Sequence, residues 1–194
     1  MSNETIDEGR RLLLAGATVS AGMAAAAPAA AQGAGLSDFR VLDPVRTELV
    51  MNLVVTCSAP EKMGPQDNAP DGRRGSLWPI IGGRFEGPNI RGTVIPGGGD
   101  FPVSRPDGVV IIDALYRLKT DDGYQIIIHN KGLALGQGKY RLLPQFVVAG
   151  EKYAWLNKGV FVSTLIAGRA MPDSMRLAKG PNENDRLIQV HRIV

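Results

Sequence analysis

Cysteine and histidine are almost absent from this chain of 194 residues, which has one cysteine, Cys57, and two histidines, His129 and His191. A lone thiol excludes an intramolecular disulfide. The two histidines stand far apart, and neither belongs to a spaced cluster with carboxylates or Cys, so no metal site and no cofactor are expected. No GxSxG elbow occurs, which leaves a Ser/His/Asp triad without support. Lysine and arginine never form a run longer than a pair, and 19 acidic residues are interspersed among 22 basic ones. That pattern lacks the footprint of a nucleic-acid binder. Beyond the N-terminal segment there is no apolar run that would make a stable membrane span, no capped segment of helical period and no internal repeat.

Glycine (24) and proline (13) are plentiful instead. Their abundance fits many short strands joined by tight turns. The N-terminus carries a separate signal. Arg10-Arg11 leads into Leu12-Leu13-Leu14 and an Ala-rich run to Ala27, then Pro28 and Ala29-Ala30-Ala31. Paired arginines before a weakly hydrophobic stretch and a small-residue cleavage site read as a cleavable export signal of the twin-arginine type over 1–31. This reading implies the twin-arginine machinery and a signal peptidase as partners, and a periplasmic or otherwise exported location. Gly9 in place of the usual Ser or Thr, and Glu4, Asp7 and Glu8 ahead of the apolar run, depart from that pattern. Residues 32–46 read as a flexible leader, and 47–194 as a single β domain.

Within that domain Leu49, Met51, Leu53, Val55 and Cys57 alternate with polar Asn52 and Thr56, which predicts a strand over 47–57 with one face on a core. Cys57 then sits on the apolar face, where a thiol packs and is inert. Residues 59–75 read as a long loop. Short β segments are expected at 77–81, 84–86 and 92–95, with Gly82-Gly83 marking a bulge or a close backbone approach. Two β-rich stretches from Val109 to Asn130 flank Asp121-Asp122-Gly123, which predicts a hairpin with Asp122 in a turn role. Further strands are expected at 140–148, 159–167 and 186–194, a helical turn at 152–158, and a polar, mobile surface loop at 169–185. Consecutive antiparallel strands must hide their edges, so the expected fold is all-β, either a closed barrel or a sandwich.

Several strings in fixed order go further: GGRFEGP (82–88), PGGGDF (96–101), RPDGV (105–109), TDDG (120–123) and YAWLN (153–157). Together they resemble the domain of unknown function 3237 family, the UPF0311 proteins. The resemblance implies an all-β, closed antiparallel, calycin-like (lipocalin-like) barrel of about eight strands with long loops and an interior cavity. It implies little about activity. Phe101 stands where Trp is common in the family, and Val147 follows Phe146 where an acidic residue is common.

Two carboxylates stand out, Glu86 and Asp100, both at strand ends beside Gly-rich turns where a barrel opens. In a partly apolar cavity, desolvation raises one carboxyl pKa while a neighbouring charge lowers another, giving an acid and a base. The alternative is that both cap turns. Tyr116, Asn130, Trp155 and Asn157 are candidates for a ring-stacking wall and hydrogen-bond donors around a small-molecule ligand. Trp155 equally suits a plug at one barrel end. Asp113 and Arg117 share a strand face as a surface pair or as interior lining. His129 is a surface or barrel-lining residue. Two functions follow: an exported barrel holding a small apolar or aromatic molecule, or a cofactor-independent lyase, isomerase or hydrolase.

Overall fold

The computed structural model describes residues 44–66 and 72–194. The export segment expected over 1–31 lies outside the described residues. Ten strands follow in chain order: β1 (Thr47–Cys57), β2 (Glu61–Pro65), β3 (Arg74–Gly87), β4 (Ile90–Asp100), β5 (Val103–Ser104), β6 (Val110–Thr120), β7 (Gln125–Ala134), β8 (Tyr140–Val148), β9 (Phe161–Ala167) and β10 (Asn184–Ile193). Eight of them pair antiparallel in the order β1-β10-β9-β8-β7-β6-β4-β3, and pairing of β1 with β3 closes the ring. Closure removes the edges that an open sheet would expose. β2 and β5 are short additions at the start of β3. The expected eight-stranded antiparallel barrel is therefore present, and β2 occupies ground that the sequence reads as loop.

Alternation decides which side chains point inward. On β6, Ile112, Ala114, Tyr116 and Leu118 are buried while Leu115, Arg117 and Lys119 face out. Burying each large apolar side chain contributes about 1.5–3 kcal/mol, so this inward row specifies the register. The segments expected at 77–81 and 84–86 form one strand, because β3 runs straight through Gly82-Gly83. Its pairing with β4 breaks between Pro79 and Arg84, and that of β4 with β6 breaks between Ile95 and Gly98. The two bulges bend neighbouring strands together, as barrel closure demands. Gly83 has φ +144°, and a Cβ placed on it would lie 2.0 Å from the Val54 carbonyl oxygen. Only glycine permits that approach.

The two barrel ends differ. A 3₁₀ turn, Ala154–Asn157, follows β8 and buries Leu156, with Tyr153 just before it, against the core. Phe146 and Phe161 meet edge to face at 5.0 Å, and Trp155 lies 6.3 Å from Phe161. Lys152 Nζ donates to Asp122 at 2.5 Å and Tyr153 Oη donates to the same carboxylate at 3.1 Å, latching this cap to the β6–β7 turn. Of the mobile loop expected over 169–185, residues 184 and 185 open β10 and the 168–183 segment is anchored: Met171 joins Val54 and Leu187 in a small second core on the outer face of the sheet. Asp185 secures it, accepting from Thr56 Oγ1 at 2.6 Å and from the backbone N–H groups of Leu177 and Ala178 at 2.6 and 2.8 Å.

Candidate active site in the barrel interior

Strand register sets one row of inward residues across five strands. Trp78 pairs with Asp100, Asp100 with Ala114, Ala114 with Asn130, and Asn130 with Pro144. Asp100 and Asn130 thus flank the small, buried Ala114. Tyr116 pairs with Ile128 and lies diagonal to Asn130. At the end where β4 finishes and β6 begins, a cavity of about 290 Å³ is lined by Trp78, Asp100, Ile112, Tyr140, Leu165 and Arg186. The Arg186 guanidinium lies over the Trp78 ring, its Cζ 4.3 Å from the centroid.

Asp100 is the electrostatic centre of this interior. It is 9% exposed. One carboxylate oxygen accepts the Asp113 backbone N–H at 3.2 Å. Burial pushes its carboxyl up from the usual 3.8 to about 6, against the opposing pull of that hydrogen bond and of the Arg186 charge. A carboxyl at that value is roughly one-tenth protonated at neutral pH, so it both accepts and returns a proton. Burial also drives the Tyr116 hydroxyl far above its ordinary value, which keeps it a phenol. The Cys57 thiol rises to about 11 for the same reason and is inert. Tyr116 Oη, Asn130 Oδ1 and Ser163 Oγ are buried with no hydrogen-bond partner among the described residues. Unsatisfied interior polar atoms are unfavourable.

Residues 45–176 match the family described as protein of unknown function DUF3237. The chain belongs to the DUF3237 family. A UPF0311 protein of Clostridium acetobutylicum is 32% identical over 142 residues, which cover 64% of this chain and 88% of that protein. The crystal structure of a beta-barrel like protein from Acinetobacter baumannii superposes with a TM-score of 0.62 at 26% identity, covering 78% of this chain and 98% of that one. A hydroalkoxylation enzyme of Penicillium herquei is 35% identical over 82 residues, which cover 42% of this chain and 51% of that protein.

Seen through the DUF3237 strings, the expected site residues part company. Asp100, from PGGGDF, faces the interior as a site residue must. Glu86, from GGRFEGP, does not: it is exposed, next to buried Phe85, and its partners across the sheet are Asn52 and Arg91. The two carboxylates are not brought together, and the paired acid and base expected from them becomes a single interior carboxyl. Tyr116 and Asn130 are interior. Asn157, from YAWLN, is exposed, and its amide accepts from Val148 N at 3.0 Å and donates to Val148 O at 2.8 Å, which ties the 3₁₀ cap to β8. Trp155 packs near Phe161 at the capped end and lines a separate cavity there with Val50, Pro88, Ile90 and Arg192. Val147 is 62% exposed, so an acidic residue at that position would point away from Asp100.

Asp113 and His129 pair at 2.6 Å on the outer face. Trp78, Arg186 and Ser163 also face the interior and lie outside all the family strings. Trp78 shares its strand face with Ile80, and Arg186 with Ile188 and Val190, so a polar or aromatic residue in phase with buried aliphatics was the available signal.

Proposed function

We propose that this barrel is an acid–base catalyst that adds a hydroxyl group across a carbon–carbon double bond of a small, largely apolar substrate, with Asp100 as the proton carrier. The carrying observation is an interior carboxyl, poised near neutrality, on the wall of a cavity, with the neutral Tyr116 phenol diagonal to it on the neighbouring strand. The Penicillium herquei relative, a hydroalkoxylation enzyme, supports the reaction class. In this step Asp100 takes the hydroxyl proton as the C–O bond forms. It then returns the proton to the adjacent carbon as the π pair becomes a C–H bond, and the product is an isomer when both groups belong to one molecule. Tyr116 donates a hydrogen bond to an oxygen that gains charge, and Asn130 orients the substrate.

The test is a set of alkenols and alkenyl phenols followed by NMR in D2O. Cyclised product of unchanged heavy-atom composition with one deuterium on the new C–H is expected. Asp100→Asn is expected to lower turnover by about 10²–10⁴-fold, and undiminished turnover in that variant overturns the assignment. The competing reading is a barrel that holds its ligand without turnover, favoured by the three unpartnered interior polar atoms. It predicts saturable binding by both proteins and product from neither. We place the activity outside the cytoplasm, on the strength of the N-terminal arginine pair. Replacing Arg10 and Arg11 by Lys should retain the protein in the cytoplasm, and normal export of that variant contradicts the twin-arginine route.

A further inference from the structure

Arg186 is the interior group that proton transfer by Asp100 leaves unused. It stands near the start of β10, paired with Ala167 on one side and Val55 on the other, in phase with buried Ile188 and Val190. The residue is half-buried, and its guanidinium lies over the Trp78 ring. Its hydrogen bond to the Asn184 carbonyl is long, 3.4 Å. Among the described residues no carboxylate lies within ion-pair distance of it. Asp100 is near enough for the two charges to be felt, yet they do not pair. An inward guanidinium without a counter-ion is unfavourable in a low-dielectric cavity. One that lies over an indole ring keeps its fork of N–H donors for a planar anion such as a carboxylate.

We propose that the ligand of this site is an organic carboxylate monoanion, which docks its carboxylate on the Arg186 fork and lays its apolar part along Trp78, Ile112 and Leu165 beside Asp100. The inference rests on the reading that the interior is the active site. A monoanion is favoured over a phosphate dianion because the Asp100 carboxylate stands in the same cavity and repels added negative charge. The apolar lining of Ile112, Leu165 and Trp78 suits an aromatic or alkenyl body.

Docking has a protonic consequence. The groups that act on Asp100 are Asp113 and its N–H from β6, and Arg186 from β10; Tyr116 from β6 and Cys57 from β1 adjoin it as neutral groups. When a bound carboxylate neutralises Arg186, Asp100 loses the charge that favours its ionised form and takes up a proton. That uptake is partial, and the Asp100 carboxylate that remains is the stronger base toward the substrate hydroxyl.

Calorimetric titration of the full chain with benzoate, cinnamate and 4-pentenoate, each against its primary amide, tests this. At least a tenfold preference for carboxylate over amide is expected, weakening with salt and accompanied by proton uptake measured in buffers of different ionisation enthalpy. Arg186→Gln should erase the preference while amide affinity persists, and Arg186→Lys, which keeps the charge, should restore part of it. Asp100→Asn should keep the preference and lose the proton uptake. Equal binding of acid and amide, binding of none of the probes, or a preference that survives Arg186→Gln overturns the proposal. Loss of turnover in Asp100→Asn without a carboxylate preference sinks the docking proposal alone. An Arg186-dependent preference without turnover of any substrate sinks the acid–base reading alone.

Discussion

Asp100→Asn should make the protein more stable at neutral pH while disabling it. In the native barrel the carboxyl titrates at about 6, against 3.8 when free in water. That difference corresponds to about 3 kcal/mol by which folding disfavours the ionised form. Because the folded value is raised, the native state holds the proton more tightly than the unfolded chain. The contribution of Asp100 to stability is full below about pH 4, falls as pH rises through about 6, and is then constant. The amide of Asn keeps the acceptor for the Asp113 N–H, has no charge to desolvate, and has nearly the same volume. Urea unfolding across that pH range should show the variant more stable by about 2–3 kcal/mol at neutral pH with unchanged m-value, and the two proteins converging in acid. Equal stability at neutral pH, or a parallel pH slope in both proteins, refutes the claim that a desolvated carboxyl sits in the barrel.

Three other outcomes follow from the geometry. Asn157→Ala removes both hydrogen bonds to Val148 and should destabilise the fold by about 1–2 kcal/mol, read by urea unfolding, while ligand affinity is unchanged. Gly83→Ala puts a methyl into the Val54 carbonyl and should cost about 4 kcal/mol or more; Gly97→Ala, also at positive φ but with open space around it, should unfold at distinctly higher urea, and equal losses contradict the close-approach account. Asp185→Ala releases the Leu177 and Ala178 amides and the Thr56 hydroxyl, so limited proteolysis should cut the 168–183 segment first, ahead of the barrel strands.

Much of the barrel is legible in the sequence because inward residues are apolar and alternate. β1 and the β6–β7 hairpin are examples, with Cys57 closing one alternating run and Asp121-Asp122-Gly123 turning the other. β3 is legible only in pieces, since Pro79 and Gly82-Gly83 interrupt the pattern. A strand that bends to close a barrel looks locally like two strands, and the constraint that joins them comes from partners far along the chain. β2 is hidden for a related reason: Glu61–Pro65 has no apolar face and exists through pairing with β3. In the site, phase is what separates Asp100 from Glu86. Both stand beside glycines at strand ends, but Glu86 follows inward Phe85 and must point out, whereas Asp100 is in phase with inward Val94. Arg186 obeys the same rule, since a charged residue in step with Ile188 and Val190 points inward. The 168–183 anchor depends on Met171 meeting Val54 and Leu187 across the sheet's outer face, which no local pattern reveals.

The account stands or falls on the state of one carboxyl. A titration of the Asp100 side-chain carbon by carbon-13 NMR, assigned by its loss in Asp100→Asn, reads that state without any knowledge of the substrate. A midpoint near 6 that shifts upward on adding a bound carboxylate is the predicted result. A midpoint at or below the ordinary aspartate value contradicts the placement of proton-transfer chemistry on Asp100.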